Sequence, residues 1–330
     1  MGAGAQRGRL HAIDHIKAAA IVAVVFTHAG KSGWVPQAGS YDFFLTWVWT
    51  LFHVPSFLFV SGFLYARSSG VDFAHVRSRL SRVLIPYLIA SGVAQLAGVT
   101  TARSLSDVAY QFATASSLGV YYYIFVIVVC IPLIWPLSRM GRRGVWAAWL
   151  VCFALTVAFE VDRSLRPATS LLWSLRDPLE KFQLGYFLSG WVAALALPEI
   201  SRLYHRHGRL AALLGGAGCL LGLAMIARLV ELPIGTFQRV VYTFGVIGTL
   251  SIATRGRPAG PVVRFLGDAS LSIYLYHRIF QLLARPLTDG WHDPLRILGQ
   301  VAIGLGGASL LVLAGRRLLG APRARRLLGG

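Results

Sequence analysis

The chain is a succession of strongly apolar runs, each about as long as a helix that crosses a lipid bilayer. A membrane-spanning helix needs about 20 residues to cross the hydrocarbon core. We therefore predict an all-α, polytopic membrane protein of about ten transmembrane helices. They are predicted at residues 12–33, 46–66, 83–102, 118–138, 144–160, 173–197, 209–230, 236–254, 265–285 and 295–315.

Composition favours the membrane class over a soluble one. Hydrophobic residues make up 55% of the chain and charged residues only 14%, which is too little polar surface for a soluble domain. The formal net charge of +19 raises nucleic-acid binding as an alternative. However, the basic residues form short clusters between the apolar runs, so we predict no nucleic-acid partner. Cys130, Cys152 and Cys219 lie inside apolar runs without metal-type spacing, so no disulfide framework is predicted.

The distribution of lysine and arginine predicts an orientation. With the N-terminus in the cytoplasm, the inner segments hold 20 basic residues and the outer segments hold seven. Since cytoplasmic loops are enriched in these residues, we predict an N-in, C-in protein of the cell membrane. We expect one domain over residues 1–330, with a core at about 9–315. A basic cytoplasmic tail at 316–330 is expected to lie against anionic headgroups, and the N-terminal apolar segment is interpreted as a retained first span.

Three histidines lie inside three different predicted spans. Counted at the helical rise, His28, His53 and His277 are each roughly 7–12 Å below the outer interface. Polar groups at that depth are costly and are commonly functional, so we predict a shared polar cavity. Interhelical hydrogen bonding is the alternative. No metal site is predicted, because none of these three histidines belongs to an HxxxH or HxH pair.

The second predicted span contains the unusual segment LFHVPSFLFVSGFLYAR. Pro55 cannot donate to the carbonyl of Leu51, so we expect that oxygen to be free beside His53 and the helix to be loosened. Ser61 and Gly62 form a small face that admits another backbone or a slender ligand. We interpret the segment as a tunnel wall, with a plain packing kink as the alternative.

Two charged groups lie near the predicted membrane surfaces. Arg77, Arg79 and Arg82 fall in a predicted inner loop, where they act either as a topology signal or as bidentate phosphate ligands. On the outer side, WSLRDPLEKF (residues 173–182) carries a mixed-charge cluster that includes Glu180. This cluster is a candidate sugar-binding mouth.

Several motifs, taken in order, resemble the acyltransferase-3 family of integral membrane acyltransferases. These enzymes move acyl groups, usually acetyl from acetyl-CoA, onto sugars and other hydroxyls. RLHAIDHIK followed by His28 is similar to the family's opening motif of a basic residue, ten residues and a histidine, with Lys17 where the family most often has arginine. Four later segments resemble further family motifs: FHVPSFLFVSGFL (52–64), RSRLSRVLIPY (77–87), FQLGYFLSG (182–190) and LGDASLSIYLYH (266–277).

The resemblance implies a membrane O-acyltransferase with cytoplasmic acyl-CoA as donor and no bound cofactor. The acceptor would be a hydroxyl of a carbohydrate, a glycolipid or a glycosylated metabolite. His28 is implied as the general base or as a transient acyl carrier. The remaining site residues are assigned as follows: Lys17 and Asp14 to the catalytic set, His53, Ser61, His277 and Glu180 to the acceptor cavity, and Arg77, Arg79 and Arg82 to the phosphates of acyl-CoA.

Two other functions stay open at the level of sequence. A transporter or flippase for a polar or lipid-linked substrate also has many spans and buried polar groups, but no internal repeat typical of that class is visible. A family member that has lost catalysis and acts as a sensor is the third possibility. The presence of all three histidines argues against it.

Overall fold

The computed structural model describes residues 10–30, 51–68, 71–161, 183–226 and 238–329. All regular structure within these ranges is helical, so the predicted all-α class is confirmed there. The α-helices are α1 (His11–Thr27), α2 (His53–Ala66), α3 (Phe73–Leu96), α4 (Leu105–Thr114), α5 (Tyr122–Cys130), α6 (Ile134–Arg139), α7 (Arg142–Val161), α8 (Leu184–Leu195), α9 (Leu197–Ile226), α10 (Gln238–Ala253), α11 (Pro261–Asp268), α12 (Ser270–Thr288), α13 (Asp293–Leu319) and α14 (Ala321–Leu328).

Three helical segments in the described ranges are long and apolar enough to cross a membrane. They are Leu105–Arg139, Leu197–Ala224 and Pro294–Leu319. The first is a run of successive short helices, whereas the other two lie within α9 and α13. The apolar helices α2, α8 and α10 are shorter than a full span. Apolar helices long enough to cross a membrane indicate a membrane protein. The number of membrane spans stays a prediction.

The segment around Pro55 differs from the prediction. We expected a helix loosened in its middle, but α2 begins at His53 and places Pro55 in its first turn. Backbone N–H groups of a first turn have no acceptor within the helix, so a proline there disturbs nothing. The carbonyl of Leu51 is not free either, since it accepts a hydrogen bond from Thr243 Oγ1 of α10 at 3.5 Å.

The basic stretch at residues 77–82 is helical and not a loop. A single helix, α3, runs from Phe73 to Leu96 and carries all three arginines on its N-terminal half. The side chain of Asp72 caps this helix by accepting from the backbone N–H of His75 at 2.7 Å. The cap starts the helix well before the apolar run, so a prediction from hydropathy alone placed the boundary too late.

Two predicted continuous spans are broken helices. The span at 118–138 consists of a 3₁₀ turn at Gly119–Tyr121 followed by α5 and α6. Pro132 lies between α5 and α6, where its missing N–H interrupts the backbone ladder. The span at 265–285 is divided between α11 and α12, which meet at Ala269.

Helix α1 lies at the centre of the bundle. It packs against α2, α10, α11, α12 and α13, and Ala20, Ile21 and Val24 on it are completely buried. Small and branched residues let neighbouring helices approach from several sides. The helix that carries Lys17 and ends at His28 is therefore enclosed by other helices, among them α2 with His53 and Ser61 and α12 with His277.

Helices α2 and α8 pack backbone to backbone through two glycines. A Cβ atom on Gly62 would overlap the carbonyl of Phe187, and one on Gly190 would overlap the carbonyl of Phe59. We predicted that the small face at Ser61 and Gly62 admits either another backbone or a slender ligand. At Gly62 the group that approaches is another backbone. We call this contact the glycine seam.

Helix α9 lies at the periphery and exposes a broad apolar surface. Leu213 and Leu220 are each 69% exposed, and the helix kinks at His207, where φ is −132° and ψ is 33°. Exposed apolar surface of this extent marks an interaction with an apolar environment. In a membrane protein, a surface of this kind is suited to contact with lipid.

The basic C-terminal tail is a folded helix. Helix α14 packs against α13 and α3, with Ala324 buried and its three arginines exposed. The predicted contact between the tail and anionic headgroups stays a prediction. The exposed arginines are compatible with it.

Candidate functional site

A cavity of about 200 Å³ lies among α1, α2, α3, α5 and α12. We call it the Lys17 cavity. Leu64 is exposed and Arg79 is partly exposed, so this end of the cavity meets the surface. The lining residues are Lys17, Phe57, Val60, Ser61, Leu64, Tyr65, Arg79, Val83, Tyr123, Ile127, Ser270, Leu271 and Tyr274.

Among the described residues, the cations that line this cavity are Lys17 from α1 and Arg79 from α3. The guanidinium of Arg79 lies 5.3 Å from the centre of the Tyr65 ring, and its Nε donates to Nε2 of His75 at 3.3 Å. These two contacts orient the side chain toward the cavity. Arg77 and Arg82 are exposed on the same helix and do not line the cavity. Of the three predicted phosphate ligands, Arg79 therefore lines the cavity, whereas Arg77 and Arg82 lie outside it.

Three aromatic rings bound the deep side of the Lys17 cavity. Phe57 lies 6.0 Å from Tyr123, and Tyr123 lies 5.4 Å from Tyr274, in both cases between ring centres. The hydroxyls of Ser61 and Tyr123 are 3.5 Å apart, and the hydroxyl of Tyr274 donates to the carbonyl of Val120. These contacts hold the rings in place. We call Phe57, Tyr123 and Tyr274 the aromatic layer.

Two of the predicted histidines lie just beyond this layer. The ring centres of His28 and His277 are 5.5 Å apart, with a tilt of 37° between the planes. The ring of Tyr274 is 6.3 Å from that of His277, so within the described part of the chain Tyr274 lies between the Lys17 cavity, which it lines, and the histidine pair. His53, at the start of α2, is buried and interacts electrostatically with both rings.

His277 has a fixed tautomer in its neutral form. Its Nδ1 is 3.0 Å from the carbonyl oxygen of Ile273 and 2.8 Å from that of Tyr274. Carbonyl oxygens only accept hydrogen bonds, so Nδ1 carries the proton and Nε2 is an acceptor. This Nε2 is buried without a hydrogen-bond partner among the described residues. Buried polar atoms in proteins are nearly always satisfied, so an orphan acceptor beside a second imidazole points to a group that binds there.

His28 lies at the C-terminal end of α1, where it caps the helix. Its side chain is partly exposed, and its backbone carbonyl accepts a hydrogen bond from Nη1 of Arg278 at 2.5 Å. Because the bond is to the main chain, the imidazole of His28 is not used in it. The end of α1 is thereby tied to α12, which keeps the two imidazoles adjacent.

Arg278 and the tyrosines of the aromatic layer were not predicted as site residues. Arg278 follows His277 directly in the motif YLYHR, and a positive charge inside an apolar run is itself a signal of function. Tyr123 closes the unusual run VYYY at residues 120–123. Nothing in that run indicates which tyrosine faces the cavity, because the answer depends on the packing of α5 against other helices.

The remaining predicted residues take different positions. Lys17 lines the cavity, but Asp14 is buried elsewhere, with Oδ2 3.9 Å from Nδ1 of His11. The backbone of Asp14 faces Gly267 of α11. Ser61 lines the cavity, whereas Glu180 lies outside the described residues.

Chemically, the arrangement combines two dissimilar ends. The end of the Lys17 cavity that meets the protein surface presents two cations, which suit an anionic group. The far side of the aromatic layer presents two imidazoles, which suit a hydroxyl. Within the described ranges, no three His, Cys, Asp or Glu side chains are grouped so as to hold a metal ion. The distance along α1 from Lys17 to His28 is about 16 Å at 1.5 Å per residue.

Comparison with known protein families identifies a matching family model. The acyltransferase-3 family model, described as an acyltransferase domain, matches residues 10–315. No curated protein and no solved structure matches the chain. The resemblance carried by the sequence motifs is confirmed by the family model.

Proposed function

Because this chain belongs to the acyltransferase-3 family, we propose that it is a membrane O-acyltransferase that uses acyl-CoA. The transferred group is proposed to be acetyl, and the acceptor a hydroxyl of a carbohydrate or glycoconjugate. The observation that carries this proposal is the two-ended site, in which a cation-lined cavity lies one tyrosine ring away from a pair of imidazoles.

The Lys17 cavity is the proposed donor site. Acyl-CoA carries several phosphates on its nucleotide and a narrow pantetheine arm that ends in the thioester. Guanidinium and ammonium groups are good phosphate ligands, so Lys17 and Arg79 would hold the phosphates near the end of the cavity that meets the protein surface. Arg77 and Arg82, exposed on the same helix, would contact the nucleotide that stays outside. The pantetheine arm would then extend past Ser61 toward the aromatic layer.

The histidine pair is the proposed acceptor and transfer site. An acceptor hydroxyl bound between the two rings would donate to one imidazole nitrogen, which takes the proton as the oxygen attacks the thioester carbonyl. The carbon–sulfur bond then breaks, and CoA leaves as a thiolate that takes up a proton. His28 is the proposed base, and Nε2 of His277 would accept a hydrogen bond from a neighbouring hydroxyl of the same acceptor. Transient acylation of His28 is the alternative route to the same products.

The proposed geometry agrees with the predicted orientation. An N-in, C-in arrangement of about ten spans would place Lys17 and Arg79 toward the cytoplasm, where acyl-CoA is made, and the histidine pair toward the outer side. The excess of basic residues in the predicted inner segments supports this direction. Under it, His53 and Glu180 are proposed to contact the acceptor, and the acyl group would cross the membrane within the protein.

Transfer of label from radioactive acetyl-CoA tests the proposal. The protein, in lipid nanodiscs, is incubated with labelled acetyl-CoA and a fraction of cell-envelope glycans and glycolipids. Wild-type protein is expected to transfer alkali-labile label, and His28→Ala to lose transfer by a factor on the order of 100 to 10,000, as for loss of a general base. A His28→Ala variant that transfers label at the wild-type rate would remove His28 from the mechanism.

His15→Ala is the matched control. It removes an imidazole from the same helix, but among the described residues His15 Nδ1 bonds to the carbonyl of His11, at 2.8 Å, one turn earlier. We expect this variant to transfer label normally. If wild-type protein neither binds nor consumes acetyl-CoA, the proposed donor is wrong and a transport function becomes the better hypothesis.

A further inference from the structure

The C-terminal helix α14 lies outside the residues matched by the family model, yet it is part of the folded bundle. The match ends at residue 315, and α14 spans Ala321–Leu328. The helix begins after Gly320 and folds back so that it contacts both α13 and α3. Helix α3 is the element that carries Arg79.

The contacts of α14 are made by one apolar face. Ala324 is 2% exposed. Leu328, one turn later, is partly buried and packs against the apolar core of the helix bundle. Both side chains lie over Gly315 of α13, which has no side chain to hinder them. The arginines of α14 point away from this face and are exposed. The face that packs against α13 is therefore apolar.

The tip of α14 reaches the back of the cavity wall. Gly329 has a φ of 90°, a left-handed conformation that suits glycine, and it lies against α12 and α3. A Cβ at Gly329 would come within 3.1 Å of Leu271 and 3.3 Å of Pro86. Leu271 lines the Lys17 cavity, and Pro86 is one helical turn from Val83, which also lines it.

We propose that α14 is a positioning element for the donor site, which holds α3 against α12 and so keeps Arg79 at the Lys17 cavity. This inference rests on the function proposed above. Protein interiors are close-packed, so the loss of a side chain behind a wall lets that wall relax. The consequence would be weaker binding of acyl-CoA with little change in the chemistry at the histidine pair, which lies beyond the aromatic layer.

Adjacent leucines on α14 provide a matched test. Leu328→Ala removes a side chain from the packed face, whereas Leu327→Ala removes the same atoms from an exposed position. We expect Leu328→Ala to raise KM for acyl-CoA about fivefold, equivalent to about 1 kcal/mol, with kcat nearly unchanged. Leu327→Ala is expected to behave as wild type. Leu328→Met, which conserves volume, is expected to restore most of the donor affinity.

The readouts separate positioning from stability. General loss of folded protein would lower the apparent kcat of a preparation and leave KM unchanged, so a rise in KM reports on the donor site itself. Equal KM values for Leu328→Ala, Leu327→Ala and wild type would overturn the role of α14. The same measurement on wild-type protein shows whether acyl-CoA is a saturable donor at all, so failure of the proposed function is recognised independently.

Discussion

The glycine seam between α2 and α8 allows a prediction whose magnitude follows from the geometry. In Gly62→Ala, the new Cβ would lie 2.8 Å from the carbonyl carbon of Phe187 and 3.2 Å from the amide nitrogen of Trp191. Ordinary van der Waals contact begins at 3.4 Å. The carbonyl oxygen of Phe187 would lie closer still. The two helices must therefore separate by more than the ~0.6 Å that the carbonyl carbon alone requires, since the atoms in contact are backbone and cannot rotate away.

Separation of the seam has an estimable cost. Overpacking by one methyl group in a packed interior typically destabilises a protein by about 1–3 kcal/mol. Gly92→Ala is the control, because nothing lies within 4 Å of a Cβ at that position in α3. Replacing an unhindered glycine in a helix by alanine stabilises by roughly 0.5–1 kcal/mol. The two alanine variants are thus expected to shift stability in opposite directions.

The stability of both variants is measured as a thermal unfolding midpoint in a mild detergent. The signal is the fraction of protein that stays monodisperse after heating. Gly62→Ala is expected to lower the midpoint and Gly92→Ala to leave it unchanged or raise it. A Gly62→Ala protein as stable as Gly92→Ala would refute the close backbone contact.

A double-mutant cycle adds a second, independent criterion. A Cβ on Gly190 would lie 2.7 Å from the carbonyl carbon of Phe59, across the same seam. Once one alanine has opened the seam, the second meets less resistance. The destabilisation of Gly62→Ala/Gly190→Ala is therefore expected to be smaller than the sum of the single changes. Strict additivity would show that the two glycines do not share one interface.

Two further predictions concern the site. Arg79→Ala is expected to raise KM for acyl-CoA about tenfold, the effect of losing one charge-assisted contact. Arg77→Ala would lose only a solvent-screened contact with the nucleotide and is expected to raise KM about twofold or less; equal effects in a steady-state assay would contradict the distinction. His277→Phe keeps a ring of similar size but removes Nε2, and is expected to lower kcat about 100-fold with KM for acyl-CoA unchanged. A His277→Phe enzyme with wild-type kcat would show that the orphan nitrogen takes no part in transfer.

Much of the fold class was predictable because it follows from local properties. A run of apolar residues in a bilayer must satisfy its own backbone hydrogen bonds, which makes it helical whatever its neighbours are. The spacing between Lys17 and His28 on one helix likewise follows from the helical rise alone. The order of the motifs was sufficient to indicate the family.

The errors at helix boundaries also have local causes that hydropathy does not contain. The cap provided by Asp72 starts α3 before the apolar run and carries the arginines into the helix. Pro55 has the same chemistry in the middle of a helix as in its first turn, and its effect depends only on where the helix begins. The partner of the Leu51 carbonyl is Thr243, nearly two hundred residues later in the chain.

The sequence by itself determined that the protein is a helical membrane protein of the acyltransferase-3 family with imidazoles in separate helices. Only the tertiary structure decided which side chains face one another: Gly62 toward α8, Arg79 toward the cavity, and Tyr274 between that cavity and His277. The physical reason is that helix formation depends on residues a few positions apart. The direction in which each helix presents its side chains depends on contacts with distant segments, which no local pattern records.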